Sequence, residues 1–200
     1  MANEAPRIAA IVLAAGTSTR MGSNKLLADL HGAALIRRTV EAVRSWPLDR
    51  IVVVTGHEAD KIAQALEGLN VAVVRNPDYA HGLATSLRRG LKALPKNIDA
   101  ALVCLGDMPL VETETVRRLI GTFANPETVC VPVYKGMRGN PVLWGRAYFA
   151  AMAALSGDRG AKSLMEELTD HVVEIETLDE GTILDADRPE TLAQIRERLL

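Results

Sequence analysis

Residues 7–25, RIAAIVLAAGTSTRMGSNK, pass from an apolar run of strand length into a loop of small residues, hydroxyl groups and two cations. The apolar run, Arg7 to Leu13, is almost continuous, which is typical of a strand covered on both faces of a sheet. A loop that leaves such a strand lies at the carboxyl edge of the sheet, where open α/β proteins bind their ligands. This stretch therefore predicts a buried parallel strand followed by a ligand-binding loop.

The rest of the chain repeats this alternation of apolar runs with segments of helical period, which indicates βαβ units around a mostly parallel sheet. Further strands are predicted at Arg50–Thr55, Val71–Arg75, Ala100–Leu105, Thr128–Tyr134 and Val172–Leu178. Helices are predicted at Leu35–Trp46, Ala59–Leu66, Ala84–Leu94, Glu114–Phe123, Arg146–Leu155, Ala161–Leu168 and Glu190–Leu199. No linker or repeat divides the sequence, so we expect residues 1–200 to form one α/β domain with helices on both faces of the sheet.

The composition of the chain limits the kinds of molecule that it can be expected to bind. The 23 Lys and Arg residues against 25 Asp and Glu give a net charge of -2, which disfavours nucleic-acid binding but leaves small anions open. Cys104 and Cys130 lie in apolar runs without zinc-ligand spacing, which is typical of core thiols in a reducing compartment. The apolar stretches are too short to span a membrane. We expect a cytoplasmic protein.

The loop after the first strand carries the chemistry of an anion site. Its small residues let backbone N–H groups approach a phosphate, and Arg20 and Lys25 can neutralise the charge. The spacing is neither that of a Walker P-loop nor the G-x-G-x-x-G of dinucleotide binding. The alternative is an ordinary connection with solvated Arg and Lys side chains.

The string LAAGTSTRMGSNKLL, residues 13–27, resembles the signature loop of the MobA-like nucleotidyltransferases. Its Leu-Ala-Ala-Gly form is similar to that of the molybdenum cofactor cytidylyltransferase branch. The resemblance implies a Rossmann-like three-layer nucleotidyltransferase fold, with catalytic roles for Lys25 and Arg20. It implies nucleotide binding by Leu13, Ala14, Ala15, Gly16, Arg20 and Lys25.

An aspartate follows the predicted strand Ala100–Leu105, in the string Gly106-Asp107-Met108-Pro109-Leu110. A carboxylate at that edge can hold Mg²⁺, which usually takes one or two protein carboxylates together with phosphate oxygens. The alternative is that Asp107 caps the turn before the next helix. The string is similar to the metal-binding motif of the family, so the resemblance implies a catalytic and metal-binding Asp107.

Near the end of the chain, Asp185-Ala186-Asp187-Arg188-Pro189-Glu190 resembles the family segment D-x-D-T-P-E-D, which supplies a second metal ligand. Arg188 departs from the usual Thr. We expect Asp187 rather than Asp185 to be that ligand. Asp187 and Glu190 also have the spacing of a capping box for the last helix, and one residue can serve both purposes.

Three other segments resemble parts of the family site. Residues 76–87 resemble the stretch that contacts the nucleotide base, which implies that Gly82 and Ser86 bind the nucleotide; a plain helix N-terminus is the alternative. Residues 138–143 and 157–161 resemble segments facing the second substrate, which implies roles for Asn140, Asp158 and Arg159. Ordinary turns explain both segments as well.

The resemblance implies Mg²⁺-dependent transfer of a cytidylyl group from CTP to the phosphate of molybdopterin, with release of pyrophosphate. Molybdenum hydroxylase apoenzymes are the partners that it implies. Three alternatives stay open: the same reaction with GTP or another phosphorylated acceptor, a non-catalytic protein that delivers the finished cofactor, and an oxidoreductase. The missing dinucleotide fingerprint argues against the last.

Overall fold

The computed structural model describes residues 5–17, 24–158 and 160–199. The strands are β1 (Ile8–Ala14), β2 (Asp29–Leu30), β3 (Ala33–Ala34), β4 (Arg50–Thr55), β5 (Ala72–Arg75), β6 (Ala100–Leu105), β7 (Val129–Tyr134), β8 (Met137–Arg138), β9 (Val142–Gly145) and β10 (Val172–Glu176). The α-helices are α1 (Leu35–Arg44), α2 (Ala59–Ala65), α3 (Leu83–Lys92), α4 (Thr113–Thr122), α5 (Phe149–Ala154) and α6 (Pro189–Arg198).

A mixed sheet of eight strands forms the centre, in the order β10-β7-β9-β6-β1-β4-β5, with β8 paired to β7. The pairs β1–β4, β1–β6, β4–β5 and β7–β10 are parallel, whereas β9 runs antiparallel to both β6 and β7. The prediction of a mostly parallel α/β sheet is confirmed. Its consequence is that β1, β4, β5 and β6 end at one shared edge.

Helices cover both faces of this sheet because successive side chains of a strand point to opposite sides. From β1, Ala10 and Val12 face α1, α2 and α4, while Ile11 and Leu13 face α3 and α5. A smaller core joins α6 to β2 and α1 through buried Leu30, Leu35 and Ile195. The three-layer arrangement expected from the family resemblance is therefore present.

Several element predictions need correction. Ala161–Glu166 is a 3₁₀ helix, in which Ser163 N and Oγ both donate to Gly160 O, at 3.1 and 3.0 Å. The predicted helix at Arg146–Leu155 divides into a 3₁₀ turn at Arg146–Tyr148 and then α5. 3₁₀ geometry is common in short connecting pieces and at the ends of α-helices, and the turn at Arg146–Tyr148 directly precedes α5.

Four short strands were not predicted: β2, β3, β8 and β9. β9 has only four residues, all buried, and pairing with β6 and β7 rather than a local pattern decides its conformation. β2 and β3 form a hairpin whose two turn residues, His31 and Gly32, have positive φ values of 54° and 81°. No helix among the described ranges has both the length and the apolar character that a membrane span requires.

Candidate active site

A polar cleft of about 460 Å³ opens at the carboxyl edge of the parallel strands. We call it the polar cleft; it lies between the loops that follow β1 and β6, the start of α3 and the segment before α6. Its lining comprises Leu13, Ala15, Gly16, Thr17, Lys25, Leu26, Tyr79, Ala80, Gly82, Leu83, Ser86, Leu105, Gly106, Asp107, Asp158, Asp185 and Asp187. Most of the residues predicted to bind nucleotide or metal therefore meet in one place.

The first loop enters this cleft directly from β1. A Cβ added to Gly16 would meet nothing within 4 Å, so this part of the loop borders open space. Ala14 is buried and packs beneath the cleft against Gly106, whose N–H donates to Leu13 O at 3.0 Å. Arg20, which we expected to contact phosphate, lies outside the residues that the structure describes.

Lys25 is oriented by a short 3₁₀ turn at Lys25–Leu27. Asn24 Oδ1 accepts a hydrogen bond of 3.2 Å from Leu26 N, and the Leu26 side chain is buried in the core. With these neighbours fixed, Lys25 Nζ donates to Asp107 Oδ2 and to Asp187 Oδ1. One ammonium thus joins the loop after β1, the end of β6 and the segment before α6.

Asp107, Asp185 and Asp187 form an acidic cluster in which one oxygen of each lies within 4.8 Å of the others. Asp187 N donates to Asp185 Oδ1 at 3.2 Å, which brings these two carboxylates to the same side of the cleft. Among the described residues no backbone amide donates to the Asp107 carboxylate, whose hydrogen bond comes from Lys25, so capping of the turn before α4 does not explain this side chain. The helix α6 has Arg188 as its N-cap, so the capping box expected for Asp187 is wrong.

In the part of the chain that the structure describes, the cluster brings three carboxylates together around the ammonium of Lys25. Desolvation and then the charges of Asp107 and Asp187 raise the pKa of the Asp185 carboxyl above its ordinary value. Desolvation works to lower the pKa of Lys25, but attraction and hydrogen bonds from Asp107 and Asp187 outweigh it and the pKa is raised. Lys25 therefore stays an ammonium at neutral pH, and the cluster keeps an excess of negative charge.

Such a donor set fits a divalent hard cation. Mg²⁺ and Mn²⁺ prefer carboxylate oxygens, and convergence of three carboxylates is costly unless positive charge offsets it. The structure places Asp185 in the cluster as well as Asp187, so geometry gives no reason to prefer Asp187 as the second ligand.

The start of α3 forms the opposite wall of the cleft. Buried Asn76 donates from Nδ2 to Thr85 Oγ1 and to Ser86 Oγ, both at 2.9 Å, while its Oδ1 accepts from Asp78 N at 3.1 Å. Gly82 is the N-cap of α3 with φ +103°, and a Cβ there would lie 2.3 Å from the Gly157 carbonyl carbon. Gly82 and Ser86 therefore line the cleft at the N-terminus of a helix.

A second chamber of about 290 Å³ adjoins the polar cleft. We call it the apolar chamber; it lies between α3, β6, β9 and the 3₁₀ helix at Ala161–Glu166. Its lining comprises Leu13, Leu83, Leu87, Val103, Leu105, Asn140, Val142, Trp144, Gly160, Ala161 and Lys162. Leu13, Leu83 and Leu105 belong to both linings, so the two spaces share a wall.

The residues predicted for a second substrate are distributed between these spaces. Asn140 lines the apolar chamber, and Asp158 lines the polar cleft beside Gly82. Arg159 falls outside the described ranges. The sequence reasoning missed Tyr79 and Leu83 in the lining, although both lie inside the stretch 76–87 that it singled out. No sequence pattern indicated that Trp144 lines the apolar chamber, because Trp144 belongs to β9, a strand that the sequence did not predict.

Comparison with known proteins identifies relatives of this chain. The sequence model of the MobA-like NTP transferase domain matches residues 10–172. The molybdenum cofactor cytidylyltransferase of Escherichia coli K12 is 26% identical over 189 residues, which cover 94% of this chain and 95% of that protein. The bifunctional protein GlmU of Kineococcus radiotolerans is 35% identical over 142 residues, covering 69% of this chain but 29% of GlmU. The chain thus spans less than a third of that relative.

Solved structures agree with the fold. A nucleotidyl transferase from Methanothermobacter superposes with a TM-score of 0.83 and 29% identity, covering 96% of this chain and 97% of that one. The manganese complex of Rv0371c from Mycobacterium tuberculosis H37Rv superposes with a TM-score of 0.78 and 29% identity, covering 96% and 98%.

Proposed function

Because this chain belongs to the family of MobA-like NTP transferase domains, we propose that it transfers the cytidylyl group of CTP to the phosphate of a molybdopterin-type acceptor, releasing pyrophosphate. The observation that carries this proposal is the meeting of Lys25 with Asp107, Asp185 and Asp187 in a cleft beside a small-residue loop. We choose a cytidylyl group over other nucleotidyl groups for two reasons. The chain is 26% identical to the Escherichia coli cytidylyltransferase, and residues 13–16 have the Leu-Ala-Ala-Gly form.

In this reaction an oxygen of the acceptor phosphate forms a bond to the α-phosphorus of CTP, and the bond between the α-phosphorus and the bridging oxygen breaks. The electron pair of that bond leaves with pyrophosphate. A phosphate monoester is already anionic at neutral pH, so the reaction needs no dedicated general base. Catalysis comes from holding the two phosphates in line and from stabilising the charge that develops on them.

The chain supplies this stabilisation from several elements. Backbone amides near Gly16 and the ammonium of Lys25 border the space for the triphosphate, with Arg20 as a further cation expected in the same loop. Gly82 and Ser86 at the start of α3 are assigned to the nucleoside.

Asp107, Asp185 and Asp187 would hold a divalent cation, which we propose is Mg²⁺ and which supplies Lewis-acid stabilisation of the phosphate oxygens when bound. The manganese complex of the related Rv0371c structure supports a divalent cation in this fold. We assign the activity to the cytoplasm, with CTP and the acceptor as small-molecule partners and molybdenum hydroxylase apoenzymes as recipients of the product.

One variant separates this proposal from the alternative of a non-catalytic delivery protein. Asp107→Asn should abolish pyrophosphate release while circular dichroism and melting temperature show a folded protein, because Asn has nearly the same shape and can still accept a hydrogen bond from Lys25 at this buried position. Asp170→Asn, at an exposed position, is the matched control and should keep full turnover. Unchanged turnover in Asp107→Asn would contradict the proposed site, and unimpaired delivery of cofactor by an inactive Asp107→Asn would favour a delivery protein.

The GlmU match favours examining a different acceptor as well, since that relative is more identical over its matched part. Pyrophosphate release from CTP, measured with molybdopterin and in parallel with other phosphorylated acceptors, tests this alternative directly.

A further inference from the structure

Asp179 carries a buried carboxylate that takes no part in the proposed chemistry. It follows β10, is only 4% exposed and lies outside the lining of the polar cleft. No lysine or arginine among the described residues forms an ion pair with it. A buried charge is costly unless hydrogen bonds replace the water that it loses, so the partners of this carboxylate indicate its role.

Three donors converge on Asp179 from two segments of the chain. Its Oδ2 accepts from Glu112 N and from Thr115 Oγ1, both at 2.9 Å, and its Oδ1 accepts from Gly181 N at 2.9 Å. The first two donors lie at the start of α4, and the third lies in the 3₁₀ turn at Glu180–Thr182. We call this carboxylate and its three donors the Asp179 clamp. It bonds the segment between β6 and α4 to the segment between β10 and α6.

The two segments that the Asp179 clamp joins are the ones that carry the acidic cluster. Asp107 precedes Glu112 in the first segment, whereas Asp185 and Asp187 follow Asp179 in the second. Carboxylates held close together repel one another, so the backbone must keep the segments from moving apart. The separation of the three carboxylates therefore depends on how the two segments are joined.

The chain between the clamp and the cluster is closely packed. A Cβ added to Gly181 would lie 2.3 Å from Leu110 O, so the two segments are in backbone contact there. The Leu110 side chain packs against the small core that contains buried Leu184 and Ala186. Because close-packed interiors leave little room for local adjustment, a change in spacing at the clamp also changes the spacing of the carboxylates.

We propose, resting on the divalent-cation site of the proposed function, that Asp179 is a positioning residue that sets the geometry of the acidic cluster. It touches neither the cation nor the substrates. Its two oxygens both accept hydrogen bonds, which a carboxylate can do, whereas a carboxamide has one accepting and one donating end. An aspartate is therefore required where an asparagine of the same shape would place a donor against a donor.

Binding of Mn²⁺ to the full chain tests this role without turnover. Asp179→Asn should weaken Mn²⁺ binding about tenfold in calorimetry, because one end of the clamp is lost. Circular dichroism establishes that the variant is folded at the temperature of the measurement. Unchanged Mn²⁺ affinity in a folded Asp179→Asn protein overturns the inference. Absence of Mn²⁺ binding by the wild type overturns it together with the cation site on which it rests.

Two buried threonines separate positioning from general destabilisation. Thr115→Val removes one donor of the clamp and should weaken Mn²⁺ binding about threefold, whereas Thr115→Ser keeps the hydroxyl and should bind Mn²⁺ as the wild type does. Thr128 is similarly buried at the amino end of β7, where its Oγ1 donates to Asn125 Oδ1 at 3.1 Å. Thr128→Val should lower the melting temperature and leave Mn²⁺ affinity unchanged.

These variants also decide the matter if Asp179→Asn does not fold. Equal Mn²⁺ affinities of Thr115→Val and the wild type would then overturn the inference, as would equal losses of affinity in Thr115→Val and Thr128→Val.

Failure of this inference differs from failure of the proposed function. In the pyrophosphate assay, Asp179→Asn should raise the Mg²⁺ concentration for half-maximal rate about tenfold, with little change in kcat at saturating Mg²⁺. Cytidylyl transfer by Asp179→Asn with wild-type Mn²⁺ affinity and Mg²⁺ dependence would remove the inference alone. Weakened Mn²⁺ binding by Asp179→Asn, in a protein whose wild type transfers no cytidylyl group, would support the Asp179 clamp and contradict the proposed function.

Discussion

Lys25 links parts of the chain that are far apart in sequence, since its ammonium bonds Asp107, 82 residues away, and Asp187, 162 residues away. Among the residues that the structure describes, this ammonium offsets part of the charge of the three carboxylates in the cluster. The same ammonium lines the polar cleft that we propose for the triphosphate. One side chain therefore has an electrostatic role in the fold and, as we propose, a catalytic role.

Lys25→Met should lower kcat/KM for CTP by about 100-fold or more, because it removes a preorganised cation from the developing phosphate charge. Pyrophosphate release measures this effect. Lys61→Met is the matched control, since Lys61 pairs with Glu58 on the surface. A Lys25→Met protein that is folded and fully active would contradict the assigned role.

The sequence allowed Lys25 and Asp107 to be singled out individually, because each follows a strand and carries a family motif. It could not show that they bond each other, nor that Asp185 joins the same cluster. Those contacts depend on where α6 packs against β2 and α1, and that packing joins residues near 30 to residues near 190.

At the element scale, the start of α3 depends on a close backbone approach. Gly82 lies at φ +103°, where residues with a Cβ are strained, and the Gly157 carbonyl oxygen would be 2.3 Å from its Cβ. Ala84 N donates to that same oxygen at 3.1 Å. The position of this wall of the polar cleft, which we propose binds the nucleotide, thus depends on a glycine at this point.

Gly82→Ala should destabilise the protein by about 2 kcal/mol or more and weaken CTP binding, because both the backbone conformation and the Gly157 contact must change. Thermal unfolding and calorimetry measure the two effects. Gly121→Ala in α4 has open space around the new Cβ and should stabilise the fold by about 0.5–1 kcal/mol. Equal melting temperatures for Gly82→Ala and the wild type would refute the strain argument.

Local patterns predicted the long parallel strands and most helices because burial on both faces leaves continuous apolar runs, as in β1 and β6. They did not predict β9, and with it the apolar chamber, because a four-residue strand between β6 and β7 is specified by pairing across the sheet. The sequence pattern predicts a helical segment at 161–168, and the structure has a helix there, but it is a 3₁₀ helix at Ala161–Glu166 rather than an α-helix.

At the scale of the whole molecule, the formal charge of -2 hides a strong local separation of charge. Asp107, Asp185 and Asp187 converge at one sheet edge around Lys25, while the neighbouring chamber is almost free of charged side chains. A near-neutral net charge is therefore compatible with the proposed site, which would bind phosphate anions and a metal cation.

The two cysteines give a test of the core. Cys104 and Cys130 are buried, and desolvation raises the pKa of both thiols, that of Cys130 to about 11. At pH 8 both thiols of the folded protein stay protonated and unreactive, because the thiolate is the nucleophile. A thiol-reactive disulfide reagent should label neither cysteine until denaturant unfolds the chain. Rapid labelling of the native protein at pH 8 would show that this part of the core is open.

We propose that this site transfers a cytidylyl group to a phosphorylated acceptor. The most direct test is pyrophosphate release by purified protein with molybdopterin and, in parallel reactions, CTP, GTP, ATP or UTP, each with Mg²⁺ or with a chelator. We expect release with CTP and Mg²⁺, loss of release with the chelator, and little release with the other nucleotides. Release with GTP but not with CTP, or with none of the four, would contradict it.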